Sequence, residues 1–582
     1  MYEHSMQLRI WGVAALLFLV FCGLGGKLAY LHLADHSKVT GHEYKLRSQV
    51  QTSLGLRGGI FDRNGKQYPM AVSLPARLFY LDPKTVEKRH DVRQIARAVA
   101  SQLDLPEGDV LEKLQCTNTR YIPLKVSLDN RVFEALSTTT ISGVHSKEVI
   151  IRRYPQGHRM AHVLGFVNNM GVGGAGIEQQ YNRYLTGTPG VTESKKSGGK
   201  KQLPIPGTET VRVPPISGSD IFLTLDHNIQ YEVERAVQDV VDKYDALSGW
   251  AIVQHVKTGA ILAMASYPNF EPETYTQSTM DVWRNNALAI VYEPGSIMKT
   301  VTAAAALKEG LVTPETEIDV GDGSWFYGGK MLRETSGRAR GRIPLKLAME
   351  ISSNIYFAKL GLMLGNKRME GYLRAFNFGS TLGIELPGEE RGILARGAEW
   401  NRDALKIVRV PLGQGIAVTG LQMINAYSTL ANDGVMMKPY VVDRIVSPSG
   451  ETVLKTKPEV LGRPVSPDVA RAVREMLQKV TEMGGTGKRA AVPGFSVGGK
   501  TGTAQKAVPG GYSNTDYYAS FVGFVPAKEP VFCVLVSVER PMPQHSGGFV
   551  TAPVFAQIAA VTARYLEMEP DQPLEEKKGF FR

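Results

Sequence analysis

Glu293-Pro-Gly-Ser-Ile-Met-Lys-Thr300 runs straight into Val301-Thr-Ala-Ala-Ala-Ala-Leu307, and the rest of the chain is read outward from it. Pro294 and Gly295 form a turn, and Ser296 opens a helix that continues through the alanine run. Ser296 and Lys299 stand three apart, so they share one helix face. A serine hydroxyl is a poor nucleophile until a neighbouring base takes its proton. A lysine becomes that base when desolvation or nearby positive charge lowers its pKa. A helix start also places backbone N–H groups beside a developing oxyanion.

Two further motifs follow in order. Ser352-Ser-Asn354 falls inside the apolar pattern of residues 345–360, expected as a helix. Lys500-Thr-Gly-Thr503 follows Phe495-Ser-Val-Gly-Gly499 and is expected on a strand beside the serine helix. There Gly502 lets a substrate backbone approach closely. Lys500, Thr501 and Thr503 offer a cation and two hydroxyls to a carboxylate. Each motif alone is weak, because the chain also holds imitations. Ser197-Gly-Gly-Lys200 repeats the S-x-x-K spacing in a Gly/Lys-rich loop, and Lys257-Thr-Gly259 repeats K-T-G between two short strands. Both read as turns. Gly171-Val-Gly-Gly-Ala-Gly176 has the dinucleotide-loop spacing, but no acidic residue closes a second strand about 20 residues on, so no cofactor is expected. The ordered set of three motifs is what carries specificity.

N-terminal to this region, residues 249–255 and 260–265 read as a strand pair, preceded by a strand at 222–226 and a helix at 229–241. Helices and strands alternate to about Tyr565, giving a mixed α/β domain over 220–565. A turn-rich linker, Lys195-Lys-Ser-Gly-Gly-Lys-Lys201 followed by four prolines, places the boundary near Ser219. The preceding domain spans 32–219. It holds a hairpin at Asp62-Arg-Asn-Gly65 and helical periodicity over 91–115, with Ile95, Val99, Leu103, Leu111 and Leu114 apolar and a break at Pro106. Residues 566–582 form a charged tail expected to be mobile.

Residues 10–26 carry no charge, and with Lys27 snorkelling the apolar span reaches 31. That is long enough for a membrane anchor at 10–31, with Trp11 and Tyr30 as interfacial residues and 1–9 as a cytoplasmic tail. Flanking charges alone do not fix its orientation. Over 582 residues, 43% hydrophobic and 21% charged residues describe a globular chain. The net charge of +11 comes without a zinc-finger spacing, an RNP-like stretch or a long basic block, which argues against nucleic acid. Three cysteines, Cys22, Cys116 and Cys533, leave room for one disulfide at most, and free buried thiols are the default. No metal site is expected.

The ordered motifs resemble the Ser/Lys acyl-transfer set of penicillin-binding proteins and β-lactamases. Almost the whole chain resembles the class B penicillin-binding proteins of the FtsI cell-division type. Arg57-Gly-Gly-Ile-Phe-Asp-Arg-Asn-Gly65, Arg153-Tyr-Pro-Gln-Gly157, Ala161-His-Val-Leu-Gly-Phe166 and Gly176-Ile-Glu178 are similar to the family's non-catalytic pedestal. Gly413-Gln-Gly415, Thr419-Gly-Leu-Gln422, Tyr518-Ala-Ser-Phe-Val-Gly-Phe524 and Ala552-Pro-Val-Phe555 are similar to its catalytic domain. Gln254-His-Val-Lys257 departs where an acidic residue is frequent, and no segment resembles a glycosyltransferase domain.

The resemblance implies a membrane-anchored, mainly β, elongated pedestal and a serine β-lactamase-like domain with an antiparallel sheet flanked by helices. It implies a D,D-transpeptidase on the extracytoplasmic side of the bacterial inner membrane. Ser296 would be the nucleophile and Lys299 the base. Ser352 would relay protons, and Asn354 would hold the substrate amide. Lys500, Thr501 and Thr503 would bind the terminal carboxylate beside Gly502, with the backbone N–H groups of Ser296 and Thr503 as the oxyanion hole. Peptidoglycan stem peptides would be substrates, β-lactams inhibitors, and an FtsW-type glycan polymerase and other divisome proteins partners. Lateral-wall synthesis, a β-lactamase or D,D-carboxypeptidase, and a catalytically silent sensor or scaffold are the alternatives.

Overall fold

The computed structural model describes residues 2–33, 48–86, 92–116, 118–138, 143–196, 208, 210–335, 337 and 339–573. Ser197-Gly-Gly-Lys200, most of the Lys-rich linker and the last nine residues lie outside them. The chain divides into two compact units, one of residues 1–56 with 187–217 and one of 57–186 with 218–582.

In the first unit, helix α1 (Tyr2–Leu33) begins before the apolar run, and its stretch Ser5–Leu33 is exposed and apolar enough to cross a bilayer. Strand Gly190–Lys195 pairs antiparallel with Ser48–Ser53 on one side and with Thr210–Val213 on the other.

In the second unit, β1 (Ile60–Asp62) and β2 (Gly65–Leu81) form the expected hairpin, Asp62 pairing with Gly65. The helical stretch breaks as expected into Val92–Leu103 and Glu107–Gln115, because Pro106 cannot supply the backbone N–H that a continuous helix needs. A buried ion cluster ties distant segments together. Glu178, fully buried, accepts from Arg57 at 2.6 Å and from Arg152 at 2.7 Å. One further strand, β3 (Asp220–Leu223), runs parallel to β1. Asp226 then caps α2 (His227–Lys243) by accepting from Asn228 N at 2.9 Å, while His227 Nδ1 bonds Asp62 at 2.7 Å.

A five-stranded antiparallel sheet follows. It contains β4 (Ser248–His255), β5 (Ile261–Tyr267), β6 (Gly498–Val508), β7 (Gly511–Val525) and β8 (Phe532–Glu539), in the order β5-β4-β8-β7-β6. Side chains alternate across it. Ala251, Val253, Val534 and Val536 point to the core shared with α2 and the helix Ala552–Tyr565. Trp250, Ile252, Cys533 and Leu535 point to the core holding a second group of helices. Those helices are α3 (Lys299–Lys308), α4 (Leu345–Glu350), α5 (Asn354–Ala375) and α6 (Gly420–Ala431). Thr419 and Gln422 close a reciprocal cap at the start of α6.

Two expectations are corrected. The tail is tied down as far as it is described: Asp571 accepts from Ser496 N at 2.7 Å, and Gln572 N donates to Gly494 O at 3.1 Å. The cysteines are free, but Cys22 and Cys116 are exposed and only Cys533 is buried.

Candidate active site

Ser296 lies in a one-turn 3-10 helix, Gly295–Met298, and regular α-helix begins only at Lys299, whose N–H still bonds Ser296 O. The expected helix start is thus a tighter turn than the alanine run suggests. Gly295 has φ +58°, which favours glycine. Its amide donates to Gly413 O at 3.0 Å, and a Cβ on Gly413 would sit 2.1 Å from Gly295 O. On the other side, a Cβ on Gly502 would sit 3.0 Å from Pro294 O and 3.2 Å from an Ile297 methyl. The K-T-G-T strand is therefore pressed against the serine turn. Tyr427 of α6, fully buried, donates to Ile297 O at 2.9 Å and shares a 2.7 Å bond with Thr300 Oγ1.

Lys299 is fully buried. Its ammonium nitrogen donates to Ser352 O at 2.7 Å, Ser352 Oγ at 3.2 Å and Asn354 Oδ1 at 2.8 Å. Burial pushes it down to about 7, against an opposing pull from the Glu334 carboxylate. Lys500, also fully buried, is pushed well below the ordinary lysine range, first by burial and second by the charge of Lys299. Its nitrogen donates to Thr501 O at 3.3 Å.

The second motif is not inside a helix. The chain leaves α4 at Glu350, turns through Ser352 at φ +60° and restarts as α5 at Asn354. Ser353 is the N-cap and accepts from Tyr356 N at 3.2 Å. Short hydroxyl side chains compete with the helix ladder and favour such caps. The apolar spacing continues across the break, which is why periodicity alone reads one helix. The break frees Ser352 O, Ser352 Oγ and Asn354 Oδ1 to converge on Lys299. Glu334, just after the strand Lys330–Arg333, accepts from Ser353 Oγ at 2.5 Å, Asn354 N at 2.8 Å and Ile355 N at 2.9 Å. Asn354 Nδ2 donates to Arg333 O at 3.0 Å.

The two threonines differ. Thr501 is buried and donates to Thr486 Oγ1 at 3.0 Å, whereas Thr503 is exposed and accepts from Gly547 N at 3.1 Å. Lys257-Thr-Gly259 is a hairpin turn, closed by Gly259 N donating to His255 O at 2.9 Å. Gly171-Val-Gly-Gly-Ala-Gly176 packs backbone on backbone: a Cβ on Gly173 would lie 1.9 Å from Glu178 O, and the helix after it is Gly176–Gln180. The structure brings Lys299, Ser352 and Asn354 into direct contact, sets Lys500 within reach of their charge, and lays Gly502 against the turn of Ser296. Glu334, Tyr427 and Thr486 were not foreseen. They lie far in sequence from the residues they hold and belong to no spacing pattern.

A buried lysine near neutrality, one turn from a serine and bonded to a second hydroxyl, suits serine acyl transfer. Residues 249–560 match the penicillin-binding protein transpeptidase domain, and residues 52–223 match the penicillin-binding protein dimerisation domain. Penicillin-binding protein PbpB of Mycolicibacterium smegmatis is 32% identical over 87% of this chain and 82% of its own length. Peptidoglycan D,D-transpeptidase FtsI of Escherichia coli is 29% identical over 98% of this chain and 94% of its own. The crystal structure of penicillin-binding protein 3 of Mycobacterium tuberculosis with aztreonam superposes with a TM-score of 0.68 at 28% identity, over 90% of this chain and 99% of that one. With a transpeptidase domain preceded by a dimerisation domain and whole-length relatives of the same kind, this chain belongs to the class B penicillin-binding proteins and is a serine-type peptidoglycan D,D-transpeptidase.

Proposed function

We propose that Ser296 is the acylated nucleophile of this transpeptidase and that neutral Lys299 is its base. The observation that carries this reading is the burial of Lys299, pushed down to about 7 and hydrogen-bonded to Ser352 and Asn354. Ser296 Oγ attacks the penultimate D-Ala carbonyl of a donor stem peptide, and its proton passes to Lys299. The oxyanion is held by the backbone N–H groups of Ser296 and Thr503. Collapse of the tetrahedral intermediate breaks the peptide bond to the terminal D-Ala. Its leaving amine takes a proton from Lys299 through the Ser352 hydroxyl, 3.2 Å away. The amine of a second stem then attacks the acyl-enzyme, gives up a proton by the same route and restores Ser296. Asn354 holds the donor amide, and Lys500, Thr501 and Thr503 receive its terminal carboxylate. Gly502 leaves room for the donor backbone. A β-lactam acylates Ser296 in place of the donor.

Mass spectrometry of a penicillin-treated digest tests the site. The adduct is expected on the peptide carrying Ser296, and an adduct elsewhere overturns it. An adduct that hydrolyses within seconds favours a β-lactamase.

The reading extends to place. Helix α1 anchors the chain in the cell membrane, with residues 1–9 cytoplasmic, a pedestal over 32–219 and the transpeptidase domain over 220–565 outside. Similarity to FtsI supports septal synthesis with an FtsW-type polymerase as partner. Depletion in living cells tests the septal role: filaments are expected, and rounded cells point instead to lateral-wall synthesis.

A further inference from the structure

Glu334 binds the second motif with a carboxylate and belongs to none of the three motifs. Its two carboxylate oxygens accept three bonds, from Ser353 Oγ and from the backbone amides of Asn354 and Ile355. Those amides are among the first of α5, which no intrahelical carbonyl can satisfy. A carboxylate there is also favoured by the helix dipole. Asn354 is gripped twice, by Glu334 at its amide and by Arg333 O at its side chain, and its remaining polar atom, Oδ1, accepts from Lys299 at 2.8 Å.

The groups around Lys299 sharpen the point. Lys500 lies on β6 within reach of its charge, and Ser352 and Asn354 face it as neutral groups. The Phe357 ring of α5 lies 5.8 Å from its nitrogen, and Tyr427 of α6 is committed to Ile297 and Thr300. Glu334 brings the opposite charge, and its pull on Lys299 runs against that of burial.

We propose that Glu334 is a positioning residue of the transpeptidase site: its carboxylate fixes the start of α5, which carries Asn354 and follows directly on the Ser352 turn, and supplies the negative charge that faces Lys299. This rests on Lys299 being the base. A simple helix cap needs no charge to do its work, whereas this role does. The charge keeps the base protonatable, so the proton taken from Ser296 stays bound long enough to be passed on.

The test is the pH dependence of Ser296 acylation by benzylpenicillin in the full-length protein. In the wild type, the rate falls on the acid side as Lys299 takes up a proton near about 7. Glu334→Gln is expected to lower the alkaline plateau at least about tenfold, the scale set by displacing a catalytic group by a fraction of an ångström. It is also expected to move the acid limb to lower pH, because the amine loses its countercharge. Glu334→Asp keeps the charge but not the reach, and is expected to lower the plateau while leaving the limb in place. A Gln variant with the wild-type plateau overturns the proposal. So does one with a lowered plateau and an unmoved limb, which leaves only a structural cap. If the Gln variant does not fold, an Asp variant with an undiminished plateau overturns it. Failure of the underlying site looks different: a wild-type rate without an acid limb, or labelling that survives Ser296→Ala.

Discussion

Two groups of buried charge lie in the same compact unit and meet opposite fates. In one, Glu178 sits between Arg57 and Arg152 with all three side chains under one-tenth exposed. Each charge has an opposite partner at hydrogen-bond distance, and the cluster locks segments more than 100 residues apart. In the other, Lys299 and Lys500 are fully buried near each other, and the bonds of both nitrogens go to neutral oxygens. Burying a charge costs heavily unless it is paired. The arginines meet that cost by pairing, whereas the unpaired lysines are pushed down from the ordinary lysine range, Lys299 by burial and Lys500 by burial and the charge of Lys299. Burial thus locks a charge in place where an opposite partner meets it and lowers a lysine's pKa where none does.

This contrast can be broken at several points. The largest effect belongs to Lys299→Gln, expected to slow β-lactam acylation by about 10²–10⁴-fold without loss of thermal stability, since it removes a desolvated amine and keeps a polar group. As the proposed base, Lys299 should also set the pH profile. Its active form is deprotonated, so acylation is present above about 7 and falls as the pH drops through that value, measured as labelling rate against pH. Glu178→Gln is expected to do the reverse. It leaves two buried guanidiniums without their countercharge and costs about 3–5 kcal/mol in denaturant unfolding, while the folded fraction still acylates at the wild-type rate. Tyr427→Phe removes the bond to Ile297 O and should cost about 1–2 kcal/mol, with a modest drop in acylation as the serine turn loosens. Lys257→Gln should change stability by less than about 0.5 kcal/mol and leave labelling untouched. Its pair with Asp433 is long, at 3.8 Å, and exposed.

Much of the proposed site was legible in the sequence because its motifs sit at short, fixed local spacings. Ser296 and Lys299 announce each other across one turn, and Lys500-Thr-Gly-Thr503 carries its strand character and its glycine together. The imitation at Lys257 is the turn its local context suggested, while the one at Ser197 lies outside the described residues. The hairpin at Asp62-Arg-Asn-Gly65 and the break at Pro106 were equally plain, because an Asn-Gly pair and a proline constrain the backbone wherever they occur. What stayed hidden depends on distance. The turn at Ser352 is invisible to periodicity, since the apolar positions of α4 and α5 keep step across it. Glu334 is an ordinary surface-type residue until the fold sets it against the start of α5. Glu178 meets Arg57 across 121 positions, and Asp571 holds Ser496 from a segment whose composition alone suggested a loose tail.

The strand bearing Lys500-Thr-Gly-Thr503 is the last in the order β5-β4-β8-β7-β6. An outermost strand is a hazard for most soluble proteins, because its open row of amides and carbonyls invites any extended chain to pair with it. In a cross-linking enzyme that hazard would serve as a docking rail. A donor peptide laid along it as a sixth strand would be read first by its backbone, whatever its side chains, with its reacting carbonyl set at the Ser296 turn. Recognition by main chain would also leave such a site vulnerable: a small rigid amide that fitted the same rail would need to imitate only the geometry of the last two residues, and little of the wall polymer itself.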